Sequence, residues 1–409
     1  MTSALDDCFL HDKDRLAHHE ALRLLREGVA PLELGAERLS LQEALGRVLA
    51  APLRAPIDLP GHTNAAVDGY AYAHAQARAS DGPLPVSQRV RAGSNPTPLA
   101  SATAARIFTG APLPEGADTV AMQEDCRVAS EGVMLPAIAR GANVRLRGED
   151  VRAGTPVLAA GRRLLPADIA TAAAFGHTEL PVRRPVRVAL FSSGDEVRQA
   201  GELGYGEVFD ANGPMLRAWM AGLPVEVLAG ETLPDRREAV EAALAQATVN
   251  ADIVLTTGGA SRGEEDHMLA ALDTLGRRQA WQISVKPGRP LMFGLIGTTP
   301  YLGLPGNPVA ACVCFLLYAR PLLLLLAGAG WYDPAGFTVP ALFEADSKPD
   351  RREFLRGVRR AGGIDKYARD GSGLISSLRE SDGLIEIPEQ TTRIERGDPV
   401  TFLPWSSFS

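Results

Sequence analysis

The chain has 409 residues, of which 45% are hydrophobic and 22% charged, and this is ordinary globular composition with room for roughly two to four domains. Its net charge of -7, with Lys and Arg only in small local groups, excludes a nucleic-acid-binding surface, so an anionic ligand must be held locally. Its 4 cysteines lack the paired CxxC spacing of zinc sites and are too few for a disulfide framework. We therefore expect a reducing, cytoplasmic setting.

The sequence of the N-terminal part predicts helices. Aspartates stand where a signal peptide would need a basic and then an apolar region, so no export is expected. Leucines at helical spacing predict a helix from about 12 to 28. Ser40 with Glu43 forms a capping-box pattern that predicts a second helix over Leu41 to Leu49.

Two β-rich regions flank a region in which strand and helix patterns alternate. From 55 to about 150, short apolar segments are broken by Gly, Pro, Asn and Ser, which indicates a separate β-rich domain. From 187 to 326, strand and helix patterns alternate, as in an open, mostly parallel α/β sheet. After about 331, short strands separated by Gly and Asp turns return, as in a small barrel or sandwich.

Particular elements of the alternating region can be named. Strands are predicted at 186–191, 252–255 and 301–304, and an Asp235…Glu238 pattern indicates a capped helix. The apolar run at 309–326 is interrupted by an Arg-Pro pair, so it predicts a buried core or interface helix rather than a membrane span. In the C-terminal region, strands are predicted at 337–343, 384–387 and 400–403.

Three loops leave predicted strand ends: SSGDE (192–196), TTGGASRGEED (256–266) and GLPGNP (303–308). Because ligands bind outside the carboxyl ends of parallel strands, these loops should converge. Their hydroxyls and glycine amides can donate to phosphate oxygens, while Glu196 and Asp266 offer oxygen ligands for Mg²⁺. Each loop alone would be ordinary turn chemistry, and only the combination indicates a site.

The segment 285–311 adds two Pro/Gly-rigid loops, KPGRP and GLPGNP. The first fixes the cations Lys286 and Arg289, and the second opens a helix at Pro308, which suits an anion such as a phosphate. The phosphate motifs GxxxxGK[ST] and GxGxxG are absent from the sequence, as is the HExxH pattern of zinc proteases.

In the β-rich region, NAAVDGYA places Asp68 among small residues, IFTGAPLPEGAD contributes Thr109, and RLRGEDV contributes Arg145 and Asp150. Asp and Gly in such strings most often serve turns, and arginines beside acids are usually surface pairs. The loops are unusually apolar and small for exposed segments, however, which is typical of loops that close over a ligand.

With these strings in place, the chain resembles the molybdopterin molybdenumtransferase family, the bacterial MoeA type that includes the E domain of gephyrin. The resemblance covers nearly the whole length and rests on eight strings in the family's order, among them PGHTNAAVDGYA, RLRGEDV, LFSSGDE, TTGGASRGEEDH, KPGRPLMFG and GSGLISSLRESDGLIEIPE. It implies an α/β multi-domain protein with a three-layer α/β/α, mostly parallel molybdopterin-binding domain, a β-rich second domain, a small linking domain and a C-terminal β-barrel-like domain.

The resemblance also implies domain bounds. Residues 8–31 with 183–330 would form the α/β molybdopterin-binding domain. Residues 32–54 with 151–182 would form the linking domain at the dimer interface. Residues 55–150 would form the β-rich domain that completes the active site, and 331–409 the C-terminal β-barrel domain.

The implied activity is insertion of molybdenum from molybdate into adenylylated molybdopterin, with Mg²⁺-dependent release of AMP. A cytoplasmic homodimer is implied, with molybdopterin adenylyltransferase and downstream molybdoenzymes as further partners and neither nucleic acid nor membrane. Carried over by motif, the catalytic residues would be Asp68, Thr109, Glu196, Asp235 and Asp266. The substrate-binding residues would be Arg145, Ser193, Gly194, Gly258, Gly259, Ser261, Lys286, Arg289, Pro305 and Pro308. The Mg²⁺ ligands would be Asp68, Asp150, Glu196 and Asp266.

Departures from the family pattern leave alternatives open. Gln282 stands where family members commonly have a lysine, which makes the pocket less cationic unless Arg289 or Arg262 compensates. A non-catalytic molybdopterin-binding or scaffold paralogue is one alternative, although retention of the acidic residues and Lys286 argues against it. A molybdopterin adenylyltransferase is another, and the multi-domain length argues against that.

Overall fold

The structure is a computed structural model that describes residues 15–80, 82–228, 230, 232–233, 236–258, 267–369 and 371–408, with only the backbone for 269 and 277–281. The chain divides into two compact units. The first unit comprises Met1–Ala51, Gly161–Ile169 and Glu179–Ser409, and the second comprises Pro52–Ala160 and Ala170–Thr178. The predicted four-domain division is finer than these two units and stays a prediction.

The first unit contains a mixed, mostly parallel sheet. In spatial order its strands are Val225–Leu228, Val186–Ser193, Ile253–Thr257, Thr299–Leu304, Pro290–Ile296 and Gly276–Gln282, and Thr232–Leu233 also pairs with Val186–Ser193. The first four run parallel, and the last two add an antiparallel edge. The three strands predicted for this region are therefore confirmed, each reaching two residues further at one end.

Both faces of this sheet are covered by helices. Val188 and Leu190 of strand Val186–Ser193 point into one apolar cluster, whereas Ala189 and Phe191 point into another, as the alternation of a strand requires. The first cluster also takes residues of helices His18–Gly28, Asn212–Met220, Pro308–Cys314 and Arg320–Leu326. The second takes residues of helices Arg237–Asn250 and His267–Leu275.

The most apolar helical run, Pro308–Leu326, lies almost entirely inside the protein although its length and composition would also suit a membrane span. It passes through a π-helical turn, Phe315–Ala319, just before Arg320 and Pro321. Proline has no N–H and crowds the preceding turn, which accounts for the irregularity. The buried Arg320 donates from Nε to the carbonyl of Phe408 at 2.7 Å. The prediction of a buried core helix is thus confirmed.

The predicted helix over Leu41 to Leu49 is wrong. Strand Ala36–Ser40 pairs antiparallel with Glu179–Arg183 and is followed by turns at 41–46 and by isolated bridges at Val48 and Leu49. The capping contacts themselves exist, since the Ser40 hydroxyl donates to Glu43 at 2.6 Å. Gly46 has a φ of +78°, which ends the helical geometry after one turn. The predicted N-terminal helix is confirmed over His18–Gly28.

The C-terminal part of the first unit is a sheet of short strands. In spatial order these are Val285–Lys286, Arg352–Arg360, Gly383–Ile387, Pro399–Pro404 and Phe337–Pro340, with Gly363–Lys366 also on Arg352–Arg360 and a separate pair at Ala345–Asp346 and Arg393–Ile394. Apart from one isolated bridge between Ala341 and Ile364, no ladder among these described strands joins the ends of the sheet. The expected barrel is therefore not found, although the three predicted strands are present.

The second unit is rich in short strands, as predicted. Its central sheet has the order Val86–Val90, Ala104–Ile107, Gly69–Tyr72 and Thr119–Met122. Smaller pairs are Leu53–Arg54 with Pro156–Leu158, Asn64–Ala65 with Val144–Arg145, and Arg127–Ala129 with Gly132–Met134. Helices His74–Arg78 and Gln123–Asp125, and part of Pro166–Ala174, complete the unit. The remaining elements of the first unit are Val197–Arg198 paired with Val208–Phe209, and helices Ser376–Arg379 and Trp405–Phe408.

His18, at the start of the first helix, is a buried titratable group in the core. Its Nδ1 lies 2.7 Å from the hydroxyl of Tyr318, and its ring packs against Phe354. Burial, reinforced by the charge of Arg352, lowers the pKa of His18 from 6.5 to about 4. Between pH 4 and pH 6.5, the folded protein therefore keeps this histidine neutral, whereas the unfolded chain would protonate it.

We expect the free energy of unfolding to fall as the pH drops from 6.5 to 4, because in that window only the unfolded chain binds a proton at His18. The contribution is about 3 kcal/mol. The His18→Asn variant should lack this part of the pH dependence, as measured by urea titrations at pH 7 and pH 4.5. The exposed neighbour His19 provides the control: His19→Asn should leave the wild-type pH profile unchanged. Equal profiles for wild type and His18→Asn would contradict the prediction.

Candidate functional site

A cleft of about 1010 Å³ opens at the carboxyl ends of the parallel strands in the first unit. The described parts of the three predicted loops meet there, with Ser193 and Gly194 after one strand, Gly258 after the next and Pro305 after the third. The opposite wall comes from the KPGRP loop and from Gly371, Ser372 and Gly373 of the C-terminal part. The expected convergence of the loops is therefore observed for the described residues.

The floor of the cleft depends on a close backbone approach at Gly258. This residue has a φ of +87°, and a Cβ there would lie 2.3 Å from the carbonyl oxygen of Ser193. Gly194 has a φ of +138°, and the carboxylate of Glu196 lies directly over it. Glycine is therefore required at Gly258 for both conformation and space, and at Gly194 for conformation. Glu196 itself is exposed at the cleft.

Gly258→Ala should destabilise the protein by about 2 kcal/mol or more, since it adds both left-handed strain and a backbone clash. Urea titration measures the loss. Gly222→Ala is the matched control, because a Cβ at Gly222 meets nothing within 4 Å. Equal stability of the two variants would show that the loop around Gly258 can relax.

Lys286 of the KPGRP loop is held in place by a buried carboxylate. Its Nζ lies 3.2 Å from Oε2 of Glu353, which is 4% exposed and also accepts a hydrogen bond from Arg351. Burial raises the pKa of Glu353, but the hydrogen bonds and charges of Arg351 and Lys286 outweigh it, so the pKa lies below its ordinary value. The ionised Glu353 thus positions Lys286. Because two cations, Lys286 and Arg351, contact this single carboxylate, the cluster keeps a net positive charge.

Further along this wall, Arg356 is a buried cation that lines the cleft. Its Nη2 donates to the carbonyls of Arg369 and Gly371 at 3.4 Å, which places the guanidinium under the Gly-Ser-Gly loop 371–373. The carbonyl of Ser372 in turn accepts a hydrogen bond from the N–H of Val309 at 3.0 Å. Arg289 is exposed at the cleft. This wall therefore presents positive charge to an anion.

Asn212 connects the floor of the cleft to the last loop. Its Nδ2 donates to Oγ1 of Thr257 at 2.8 Å and to the carbonyl of Gly306 at 2.7 Å. The side chain is 8% exposed, and Oδ1 has no hydrogen-bond partner in the part of the chain that the structure describes. A buried acceptor without a donor costs about 1–3 kcal/mol, and this oxygen has almost no accessible surface of its own.

Of the four site residues predicted in the second unit, two are hydrogen-bonded to each other and the other two stand at separate positions. Thr109 donates both its N–H, at 2.8 Å, and its hydroxyl, at 2.7 Å, to Oδ1 of Asp68. These two bonds, the backbone one first, lower the pKa of Asp68 and keep it an acceptor. Arg145 ends the strand Val144–Arg145 and Asp150 follows a turn; both are exposed.

Four predicted positions, Asp235, Gly259, Ser261 and Asp266, lie outside the described residues, as does Arg262. Of the others, Ser193, Gly194, Glu196, Gly258, Lys286, Arg289, Pro305 and Pro308 all line the cleft. Sequence reasoning missed Asp210, Asn212, Glu353, Arg356 and Ser372. The GSGLISS string was noticed, but nothing local in it indicated that Ser372 would lie against GLPGNP.

Comparisons with known proteins cover most of the chain. The family model described as MoeA N-terminal region (domain I and II) matches 16–176, the probable molybdopterin binding domain matches 189–324, and the MoeA C-terminal region (domain IV) matches 338–405. A Haemophilus influenzae protein named molybdopterin molybdenumtransferase is 34% identical over 389 residues, covering 92% of this chain and 95% of that protein. A Synechococcus elongatus protein of the same name is 38% identical, covering 76% and 80%.

The chain belongs to the molybdopterin molybdenumtransferase (MoeA) family. The fold agrees, since the crystal structure of the molybdopterin biosynthesis MoeA protein from Pyrococcus horikoshii OT3 superposes with a TM-score of 0.83 at 28% identity. That match covers 96% of this chain and 100% of the other. The sequence resemblance to the MoeA family is thereby confirmed.

Gln282, the clearest departure from the MoeA pattern, is not among the residues that line the cleft. It ends the antiparallel edge strand Gly276–Gln282, where it pairs with Pro290, and its carbonyl accepts a hydrogen bond from the N–H of Leu16 at 2.9 Å. Positive charge at the cleft comes instead from Lys286, Arg289 and Arg356.

The predicted Mg²⁺ ligands are not gathered by the described residues. Within 15–258 and 267–408, as far as these are described, no group of three His, Cys, Asp or Glu side chains could hold a metal ion. Glu196 is the one predicted ligand among the described residues that line the cleft, and Asp68 and Asp150 belong to the second unit. Mg²⁺ binding therefore stays a prediction, and no chemical step is derived through it.

Proposed function

We propose that this chain is a molybdopterin molybdenumtransferase, which inserts molybdenum from molybdate into adenylylated molybdopterin and releases AMP. Membership of the MoeA family supports the reaction class. The observation that carries the proposal is the cleft, in which eight motif residues meet at the carboxyl ends of parallel strands. That position is where open α/β sheets bind ligands.

The residues of the cleft suit an anionic substrate. Lys286, Arg289 and Arg356 supply cations for the phosphates and for molybdate. Gly194 and Gly258 have no side chain, so a flat ring or a phosphate can approach the backbone closely at these positions. The buried Glu353 orients Lys286.

In the second unit, Asp68 and Thr109 act as a pair in this proposal. The ionised Asp68 carboxylate accepts both groups of Thr109 on one oxygen, and no described residue bonds its other oxygen, which would accept a proton or a cation. Arg145 and Asp150 are retained as substrate-binding and metal-binding residues. Asp235, Gly259, Ser261 and Asp266 keep their proposed roles by motif alone.

Finer features also remain part of the proposal. The protein is proposed to be a cytoplasmic homodimer that uses Mg²⁺, receives substrate from a molybdopterin adenylyltransferase and passes cofactor to molybdoenzymes. A three-layer α/β/α arrangement of the sheet domain is proposed on the basis of the apolar clusters on both faces of its sheet. The four domain bounds are retained from the sequence.

The test is a reconstitution with purified protein, adenylylated molybdopterin, molybdate and Mg²⁺. We expect AMP release that depends on molybdate, together with cofactor that activates an apo-molybdoenzyme. Addition of EDTA should stop AMP release, and excess Mg²⁺ should restore it. Tight substrate binding without molybdate-dependent AMP release would reject the enzyme and favour a scaffold, whereas formation of adenylylated molybdopterin from molybdopterin and ATP would indicate an adenylyltransferase.

A further inference from the structure

Asp68 and Thr109 meet at one end of the central sheet of the second unit. Asp68 directly precedes the strand Gly69–Tyr72, which lies between Ala104–Ile107 and Thr119–Met122 and runs antiparallel to both. Thr109 follows the first of these neighbours by two residues. Because antiparallel neighbours end where the central strand begins, the connections after both of them lie beside Asp68. Three strand ends therefore surround the pair.

One side chain, that of Arg106, bonds to all three of these strand ends. Its Nη1 donates to the carbonyl of Gly69, the residue after Asp68, at 2.8 Å and to the carbonyl of Ile107 at 3.1 Å. Its Nη2 donates to Oε1 of Gln123, the first residue after the third strand. The N–H of Gln123 in turn donates to the carbonyl of Asp68 at 3.1 Å. Arg106 thus ties the strand ends together around the backbone of Asp68.

The guanidinium of Arg106 also packs against the residue that leads into Thr109. Its Cζ lies 4.7 Å from the ring centroid of Phe108 and 5.3 Å from that of Tyr70. A planar guanidinium can stack on a ring while it donates to several acceptors, which the single ammonium of a lysine cannot do. The described residues include no ion pair between Arg106 and Asp68. Arg106 therefore supports the carboxylate without occupying it.

We propose that Arg106 is a positioning residue that keeps Asp68 and Thr109 in the geometry needed for molybdate-dependent AMP release. This inference rests on the proposed function, which gives the pair its role. Without Arg106, the carbonyl of Gly69 and the side chain of Gln123 lose their common donor, and the backbone that carries Asp68 is free to move away from Thr109. A misplacement of about 1 Å can cost about 100-fold in rate.

A double-mutant cycle separates positioning from general stability. Arg106→Met should lower kcat for AMP release about 10- to 100-fold and leave KM for adenylylated molybdopterin within about twofold, because Arg106 acts on Asp68 rather than on the substrate. In an Asp68→Ala background the same change should have little further effect, because no carboxylate is left to position. A residue with a merely structural role would lower the rate in both backgrounds.

Amide hydrogen exchange gives a second readout that does not depend on activity. The N–H groups of Thr109 and Gln123 both donate to Asp68 in the wild-type structure. Arg106→Met should raise their exchange rates by about tenfold or more, because local opening at these strand ends becomes easier. Strand Val186–Ser193, which belongs to the first unit, should keep its wild-type exchange. Mass spectrometry with residue resolution measures both regions in one experiment.

Arg89 provides the matched control. It lies opposite Arg106 on the neighbouring strand Val86–Val90, and its Cζ is 4.8 Å from the centroid of the same Phe108 ring. Arg89 is exposed, however, and forms no hydrogen bond with the described residues. Arg89→Met removes the same charge and stacking contact and should keep wild-type kcat, KM and exchange. Arg106→Lys, which keeps the charge but not the planar fork, replaces Arg106→Met in both experiments if that variant does not fold.

Three results would overturn the inference: wild-type exchange at Thr109 and Gln123 in the Arg106 variant, a kcat that stays at the wild-type value, or an equal loss of rate with and without Asp68. These outcomes are separate from the fate of the proposed function. Wild type without molybdate-dependent AMP release rejects the proposed function, and the exchange experiment still decides whether Arg106 holds the pair. Normal turnover in Arg106→Met, with an active wild type, rejects the positioning role alone.

Discussion

Replacing Asp68 with alanine should lower kcat for molybdate-dependent AMP release by about 100-fold or more, the range expected when a positioned acid or base is lost. The structure gives the side chain no role in the core, because it is partly exposed and bonded only to Thr109 within the described residues. The melting temperature should therefore change little. Steady-state AMP release and thermal melts on the same preparations provide the measurement.

Two variants sharpen the Asp68 test. Thr109→Val keeps the N–H bond to Asp68 and removes the hydroxyl bond, so the pKa of Asp68 should rise part of the way back. The acid limb of the rate profile should then move to higher pH. Asp125→Ala, at an exposed carboxylate of the same unit, should retain wild-type turnover. Normal activity in Asp68→Ala would contradict the site assignment.

Replacing Lys286 with methionine should weaken binding of adenylylated molybdopterin roughly 10- to 150-fold, which corresponds to the loss of one charged hydrogen bond. The variant removes a cation from the cleft and, within the described residues, leaves the buried Glu353 with Arg351 as its ion-pair partner. The dissociation constant in titrations at low salt measures the effect. Rising salt should shrink the difference between variant and wild type.

Two control variants test whether the effect depends on the positive charge of Lys286 and on its position in the cleft. Lys286→Arg keeps the cation and should recover most of the affinity, while Lys348→Met removes an exposed lysine elsewhere in the C-terminal part and should have no effect. An effect of equal size in Lys286→Met and Lys348→Met would mean that overall charge, rather than the cleft, governs binding. Unchanged affinity in Lys286→Met would remove the lysine from the site.

The sequence predicted secondary structure correctly where the deciding pattern lies within a short stretch of the chain. The continuous apolar run at the strand Val186–Ser193 marks a strand covered on both faces, and proline after asparagine marks the helix start at Pro308. The Ser40 and Glu43 pattern failed because the same contacts also fit a single turn, and Gly46 together with the strand before it decided the outcome.

The site could be predicted only where each residue carried its own motif. Asn212 links two loops of the cleft through its bonds to Thr257 and Gly306, which are 45 and 94 residues away in the sequence. Glu353 becomes one because the parallel pairing of Val285–Lys286 with Arg352–Glu353 brings it to Lys286. Such non-local pairings follow from the tertiary fold and leave no pattern in a short stretch of sequence.

The KPGRP loop also has a mechanical consequence. Lys286 ends a short strand in the C-terminal sheet, and Pro290 begins a strand of the mixed sheet, so only three residues separate two different ladders. A hinge between these sheets would have to break one ladder to move this wall of the cleft. We therefore expect the first unit to bind its ligand in a preformed cleft, and its selectivity to come from fixed geometry rather than from closure around the ligand.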